Sequence, residues 1–156
     1  MIAVCDIDGT FADHSHRIHL IEGEKRKDQK NWDAFYDDDL MIKDAPIPLG
    51  IAGVTRLWNA PNIRLVLLTG RPEKTRAVTR TWLKIHFGSA FEAPIYMRKK
   101  GDLRKATEYK REQISGLSLA YERRAMLFID DDERNFEMYQ GFGVVLKAPE
   151  CWGSIR

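Results

Sequence analysis

At 156 residues with 44% apolar side chains, the chain suffices for one ordinary core and is too short for several domains of usual size. Its 25 basic and 23 acidic residues leave a formal charge of +2, which excludes a polyanionic or strongly polycationic chain and leaves any charged partner to be explained by local clustering. No run approaches the ~18–20 apolar residues of a membrane span, the opening MIAVCDIDGT runs into a strand and not a cleavable signal, and Cys5 and Cys151 lack zinc spacing, so no membrane partner and a cytoplasmic location are expected.

In chain order, the first apolar run, Ile2 to Cys5, reads as a buried strand and ends on Asp6-Ile7-Asp8-Gly9-Thr10. Residues 11–45 fit no strand or long core helix. They are expected to form a lid inserted after the first strand, anchored by Trp32, Phe35 and Tyr36, within a single domain spanning 1–156. Pro46 and Pro48 lead into a helix from Leu49 to Asn59, with Ile51, Val54, Leu57 and Trp58 on one face and Pro61 stopping it. Ile63 to Leu68 is the second strand, ending on Thr69-Gly70-Arg71. Pro72 opens a helix with Val78, Trp82 and Ile85 at spacings of four and three. A weaker strand at Pro94 to Met97 and a helix over Arg104 to Leu119 follow. Ala125 to Ile129 is a strand that runs straight into Asp130, Asp131 and Asp132; a helix from Glu133 to Phe142, closed by Gly143, precedes a last strand to Leu146. Alternating strands and helices imply an α/β fold with a mostly parallel sheet covered on both faces, and in such sheets ligands sit beyond the carboxyl ends of the strands.

Those ends carry the chemistry. In extended chain Asp6 and Asp8 point the same way, about 7 Å apart, a gap suited to a phosphoryl group or a cation. Gly9 allows a sharp turn, and Thr10 offers a hydroxyl and an N–H. A lone DxDG also reads as a solvated acidic turn, or as a calcium loop whose glycine is out of place. The buried strand before it disfavours both. Asp6 can attack phosphorus to give an aspartyl phosphate, and Asp8 can protonate the leaving oxygen and later activate water. Two negative partners meeting in that attack require a cation, and carboxylate oxygens select Mg2+, held by Asp130 and Asp131 with Asp6 and Asp8. Thr69 and Lys110 can then hold the phosphate.

DIDGT, the Thr69 strand end, Lys110 and the IDD pair follow the order of the haloacid dehalogenase (HAD) superfamily of phosphatases, which this chain resembles. TGRPEKTRAVTRTWL, MRKKGDLRKATEYKREQI and LFIDDDERNFEMY further resemble the 3'-phosphatase domain of bacteriophage polynucleotide kinases. The resemblance implies a three-layer Rossmann-like HAD fold and a magnesium-dependent phosphatase with Asp6 as nucleophile, Asp8 as acid/base and Asp130 with Asp131 on the metal side. Thr69 and Lys110 would bind phosphate. Gly9, Thr10, Arg17, Gly70, Arg71, Arg98 and Arg104 would complete the substrate contacts, and a phosphorylated nucleic-acid end or a nucleotide would be the substrate. Two departures stand out: the phage domain has acids where this chain has Ala106 and Thr107, and a P-loop kinase domain precedes it, whereas no GxxxxGK[ST] occurs in this sequence and nothing in it suggests ATP-dependent phosphorylation.

Three functions stay open: a polynucleotide 3'-phosphatase active in nucleic-acid repair, a nucleotidase or small-molecule phosphatase, and a noncatalytic phosphoryl- or metal-binding domain. Arg98, Lys99, Lys100, Arg104, Lys105, Lys110 and Arg111 against Asp102 and Glu108 form a basic run that is either a solvated face or a polyanion track. His14, His16 and His19 lack the acids or cysteines of a zinc site. Trp32, Tyr36 and Tyr96 can stack a base or simply pack. Asp132 is set apart from its two neighbours as the start of the following helix.

Overall fold

In the computed structural model, which describes residues 1–102, 104–122 and 125–153, a parallel sheet of order β5-β4-β1-β6-β7 forms the centre. Its strands are β1 (Ile2–Cys5), β4 (Arg64–Pro72), β5 (Ile95–Arg98), β6 (Met126–Asp130) and β7 (Gly143–Lys147). β1 lies between β4 and β6, with Cys5 opposite both Leu67 and Ile129.

Alternate residues of these strands face opposite layers, as the pleat requires. Ala3, Cys5, Leu65 and Leu67 pack with Val54 and Leu57 of α4 (Pro48–Asn59) and Trp82 and Leu83 of α5 (Arg76–Phe87). Ile2, Val4, Val66 and Leu68 pack on the other side with Tyr109, Ile114 and Leu117 of α6 (Ala106–Ala120) and Met138 and Tyr139 of α7 (Phe136–Gln140). The result is the expected three-layer α/β architecture with a mostly parallel sheet. Among the described residues no helix is long and apolar enough to cross a membrane.

Several boundaries differ from the sequence reading. β4 continues past Leu68 to Pro72, so Thr69, Gly70 and Arg71 are strand residues. Pro72 is extended, with ψ 148°, and a single 3-10 turn over Glu73–Thr75 precedes α5. Ile85 is 62% exposed, because the buried stripe of α5 runs through Val78, Thr79, Trp82 and Leu83. The helix expected over 133–142 is a 3-10 turn, Glu133–Asn135, followed by the short α7. Gly143 does not close that helix; it opens β7, where a Cβ would stand 2.2 Å from the Met126 carbonyl.

The excursion between β1 and α4 is more structured than its composition suggests. Two-residue strands β2 (Ala12–Asp13) and β3 (Ala45–Pro46) pair antiparallel and bring its ends together. Between them lie α1 (Ser15–Ile18), a 3-10 turn (Gly23–Lys27), α2 (Gln29–Phe35) and α3 (Asp38–Met41). Its acids serve partly as caps: Asp28 accepts from the Lys30 N–H at α2, and Asp37 from the Asp39 and Leu40 N–H groups at α3.

Candidate active site

Three adjacent strands, β4, β1 and β6, deliver Thr69, Asp6 and Asp130 to one end of the sheet. Parallel pairing makes this happen: the Asp6 N–H donates to the Ile129 carbonyl at 2.9 Å, which levels the ends of β1 and β6. α6 adds Lys110, a lysine on the buried stripe that also holds Tyr109, Ile114 and Leu117. Its Nζ lies 2.7 Å from Asp130 Oδ2 and 3.3 Å from Asp6 Oδ1.

Asp130 is the most heavily bonded acid of the group. Besides Lys110, its Oδ2 accepts from Asn135 Nδ2 at 3.1 Å and from the Tyr139 hydroxyl, and its Oδ1 accepts from the Asp132 N–H at 2.9 Å. Tyr139 is fixed in turn by stacking on Phe128, with ring centroids 4.6 Å apart. Asp131 owes its place to Gly9. At φ +72° the glycine turns the chain away from β1, and a Cβ there would sit 2.1 Å from Asp131 Oδ2. Asp132 stands apart, capping the turn at Glu133 by accepting from the Arg134 N–H and pairing with that arginine's side chain.

Carboxylate oxygens of Asp6, Asp130 and Asp131 lie within 4.8 Å of one another. Burial, then the charges of Asp130, Asp131 and Asp8, push the Asp6 carboxyl well up, against the opposing Lys110. Asp131 is pushed up to about 6, by burial first and Asp130 second. Burial also works against the Lys110 charge, but Asp6 and Asp130 outweigh it and hold the ammonium protonated. Asp6 Oδ1 makes no hydrogen bond among the described residues. Crowded hard-oxygen donors, one of them a buried Asp6 oxygen that faces the Lys110 ammonium and accepts no hydrogen bond, fit a small divalent cation such as Mg2+.

The Asp8 carboxylate lies outside that acidic group. Two guanidiniums turn its carboxylate away. Arg71 donates to it through Nε and Nη2, at 2.9 and 2.7 Å, and Arg17 through Nη2 at 2.9 Å. Both arginines also reach Asp44, Arg17 at 2.7 Å through Nε and Nη2 and Arg71 at 2.9 Å. Two cations and two anions thus balance in a buried cluster, with Arg17, Arg71 and Asp44 at most 2% exposed. Burial raises the Asp8 carboxyl, but Arg71 and then Arg17 overcome this and hold it well below the usual carboxylate range.

The remaining expected residues divide. Thr69 is fully buried, its Oγ1 accepting from the Arg71 N–H at 3.2 Å. Thr10 is also fully buried and its Oγ1 has no hydrogen-bond partner among the described residues, while its carbonyl accepts from Trp152 Nε1. The Gly70 carbonyl faces the Tyr36 hydroxyl at 3.5 Å. Arg98 donates to the Arg104 carbonyl, whereas the exposed Arg104 guanidinium is engaged by Asp102 and Glu112. Arg104 therefore points its charge at its own neighbours and not into the group around Asp6.

Sequence reasoning missed Asp44, Asn135, Tyr139, Thr79 and His16. Thr79 Oγ1 lies 3.3 Å from Arg71 Nη1, and His16 Nε2 lies 3.0 Å from Asp44 Oδ1. Asn135 and Tyr139, spaced by four behind the acidic triplet, carried the one usable signal, since that spacing puts both on the same side of a helical segment.

A family model described as the phosphatase domain of the polynucleotide kinase PNKP matches residues 1–148. No curated protein matches the sequence. Among solved structures, a chain of the Pnkp1/Rnl/Hen1 complex superimposes with a TM-score of 0.64 at 19% identity, covering 94% of this chain and 45% of that one. A chain of the Pnkp1/Rnl/Hen1 RNA repair complex gives 0.66 at 19% identity, covering 94% and 42%. The likeness is one of fold, and this chain spans less than half the length of either.

Proposed function

The chain belongs to the family of polynucleotide kinase PNKP phosphatase domains, and from that premise we propose that it is a Mg2+-dependent phosphomonoester hydrolase removing a 3'-phosphate from polynucleotide ends in nucleic-acid repair. The observation that carries this reading is the placement of Lys110 between Asp6 and Asp130, with a buried Asp6 oxygen left free of hydrogen bonds.

Asp6 is the nucleophile. One of its oxygens forms a bond to phosphorus as the bond from phosphorus to the 3'-oxygen breaks, giving an aspartyl phosphate. Asp8 supplies the proton that the leaving oxygen takes up, then accepts one from the water that cleaves the aspartyl phosphate. The ion pairs with Arg71 and Arg17 keep Asp8 ionised in the free protein. That is the form needed for the second half; for the first, an incoming phosphate must draw those guanidiniums toward itself so that Asp8 takes a proton from solvent. Lys110, Thr69, Thr10 and the two arginines hold the phosphoryl oxygens. Asp6, Asp130 and Asp131 would hold Mg2+, which when bound offsets the repulsion between the Asp6 carboxylate and an anionic substrate. Residues 11–45 act as a lid that also contributes Arg17 and Asp44.

A phosphate-release panel tests the reading. Oligonucleotides with 3'-phosphate, with 5'-phosphate, and mononucleotides are compared with Mg2+ and with chelator. Release should be fastest from the 3'-ends, vanish with chelator and vanish in Asp6→Asn. Preference for mononucleotides would move the assignment to a nucleotidase, and undiminished activity of Asp6→Asn would remove the nucleophile.

A further inference from the structure

Phe35 holds Arg17 through its carbonyl and its ring, but hydrolysis of a phosphate ester needs nothing further from Trp32 and Tyr36 beside it. Tyr36, which follows α2, is half-buried, and its hydroxyl reaches the Gly70 carbonyl at 3.5 Å, the outer limit of a hydrogen bond. Such a contact does not fix the ring. Trp32 does: it stacks on Tyr36 with centroids 5.8 Å apart and planes 22° apart. Phe35 braces both rings edge-on, at 4.9 and 5.8 Å.

Phe35 is only 4% exposed, as a packing residue should be, whereas Trp32 and Tyr36 remain half-buried, and none of the three joins either core cluster. The floor beside Tyr36 is open, since a Cβ on Gly70 would meet nothing within 4 Å. The Gly70 carbonyl that the Tyr36 hydroxyl reaches directly precedes Arg71, which places the ring beside the proposed phosphate ligands. Arg98 keeps a buried Nε without a hydrogen-bond partner among the described residues, and the exposed Lys99 and Lys100 follow it. An aromatic pair beside phosphate-binding arginines matches the way single strands are held, by stacking on a ring while cations follow the backbone.

We propose that Tyr36, backed by Trp32, is the subsite for the nucleobase of the terminal nucleoside that carries the phosphate. The proposal rests on the reading of this site as a polynucleotide phosphatase and adds what separates a nucleic-acid end from a plain phosphate ester. Stacking is indifferent to base identity, so the subsite accepts all four bases at the terminus.

Steady-state phosphate release from three esters tests it: a 3'-phosphorylated oligonucleotide, the same strand ending in an abasic 3'-phosphate, and glycerol phosphate. Tyr36→Leu should raise KM for the first about tenfold at unchanged kcat and leave the other two as in the unaltered protein. Tyr36→Phe, which keeps the ring, should match the unaltered protein, and Trp32→Leu should shift KM in the same direction as Tyr36→Leu by less. If Tyr36→Leu slows all three esters alike, or changes none, the subsite is wrong while the phosphatase assignment stands. If the unaltered protein releases phosphate from glycerol phosphate and none from the oligonucleotide, the substrate assignment falls and takes the subsite with it. Should Tyr36→Leu fail to fold, Trp32→Leu decides, and an unchanged KM for the oligonucleotide there overturns the proposal.

Discussion

Asp44 accepts from Arg17, Arg71 and His16 while lying 2% exposed, so its removal leaves two buried guanidiniums to share the single carboxylate of Asp8. Breaking a buried ion network in this way costs about 3–5 kcal/mol, and Asp44→Ala should lower the melting temperature by roughly 10 °C in a thermal scan. The opposite sign is expected at Asp131. Burial and the neighbouring Asp130 make its charge unfavourable in the cation-free protein, so Asp131→Asn should melt a few degrees higher, on the order of 1 kcal/mol, and should not share the rise in melting temperature expected of the unaltered chain on adding Mg2+. A variant that melts lower, or still responds to Mg2+, would contradict this account of the acidic group. Asp6 and Asp130 stood out in the sequence because each follows a strongly apolar run, whereas Lys110 sits in a basic stretch and stood out only by its order relative to them. Asp44 was not: one aspartate in a segment rich in acids carries no local mark of its partners.

At the scale of elements, Thr107 of α6 donates to Asn135 Oδ1 at 3.0 Å, and Asn135 Nδ2 donates to Asp130 at the end of β6. That chain ties the helix carrying Lys110 to the strand carrying its partner. Asn135→Ala should lower kcat by between about ten- and a hundredfold through misplacement of Lys110, with a loss of only about 1–2 kcal/mol in stability, and Thr107→Val should do less. An Asn135→Ala enzyme with full kcat would show that the link is structural only. The central strands β1, β4 and β6 were readable as short apolar runs because both their faces are buried, and their ends fall close to where the pattern stops. β2 and β3 were not, since two residues show no periodicity, and β4 ran longer than expected because its last residues are polar yet buried.

For the whole molecule, the excursion after β1 is part of the fold as much as a cover over it. Its ends are paired through Ala12 with Pro46 and Asp13 with Ala45, so residues 15–43 can be replaced by a short linker without stretching the chain. The shortened protein would nevertheless lack Arg17, Phe35 and Met41, all buried, and leave Asp8 and Asp44 with Arg71 alone. It should melt well below the full chain and release no phosphate; equal melting would show the segment to be dispensable to the fold. The central position of β1 has another consequence. Cys5 is level with Leu67 and Ile129, and one residue of strand advances the chain by ~3.3 Å, more than the 2.7 Å between Lys110 and Asp130. A single inserted or deleted residue in β1, β4 or β6 would therefore scatter groups that now meet. These three strands must keep their count like teeth on meshed gears.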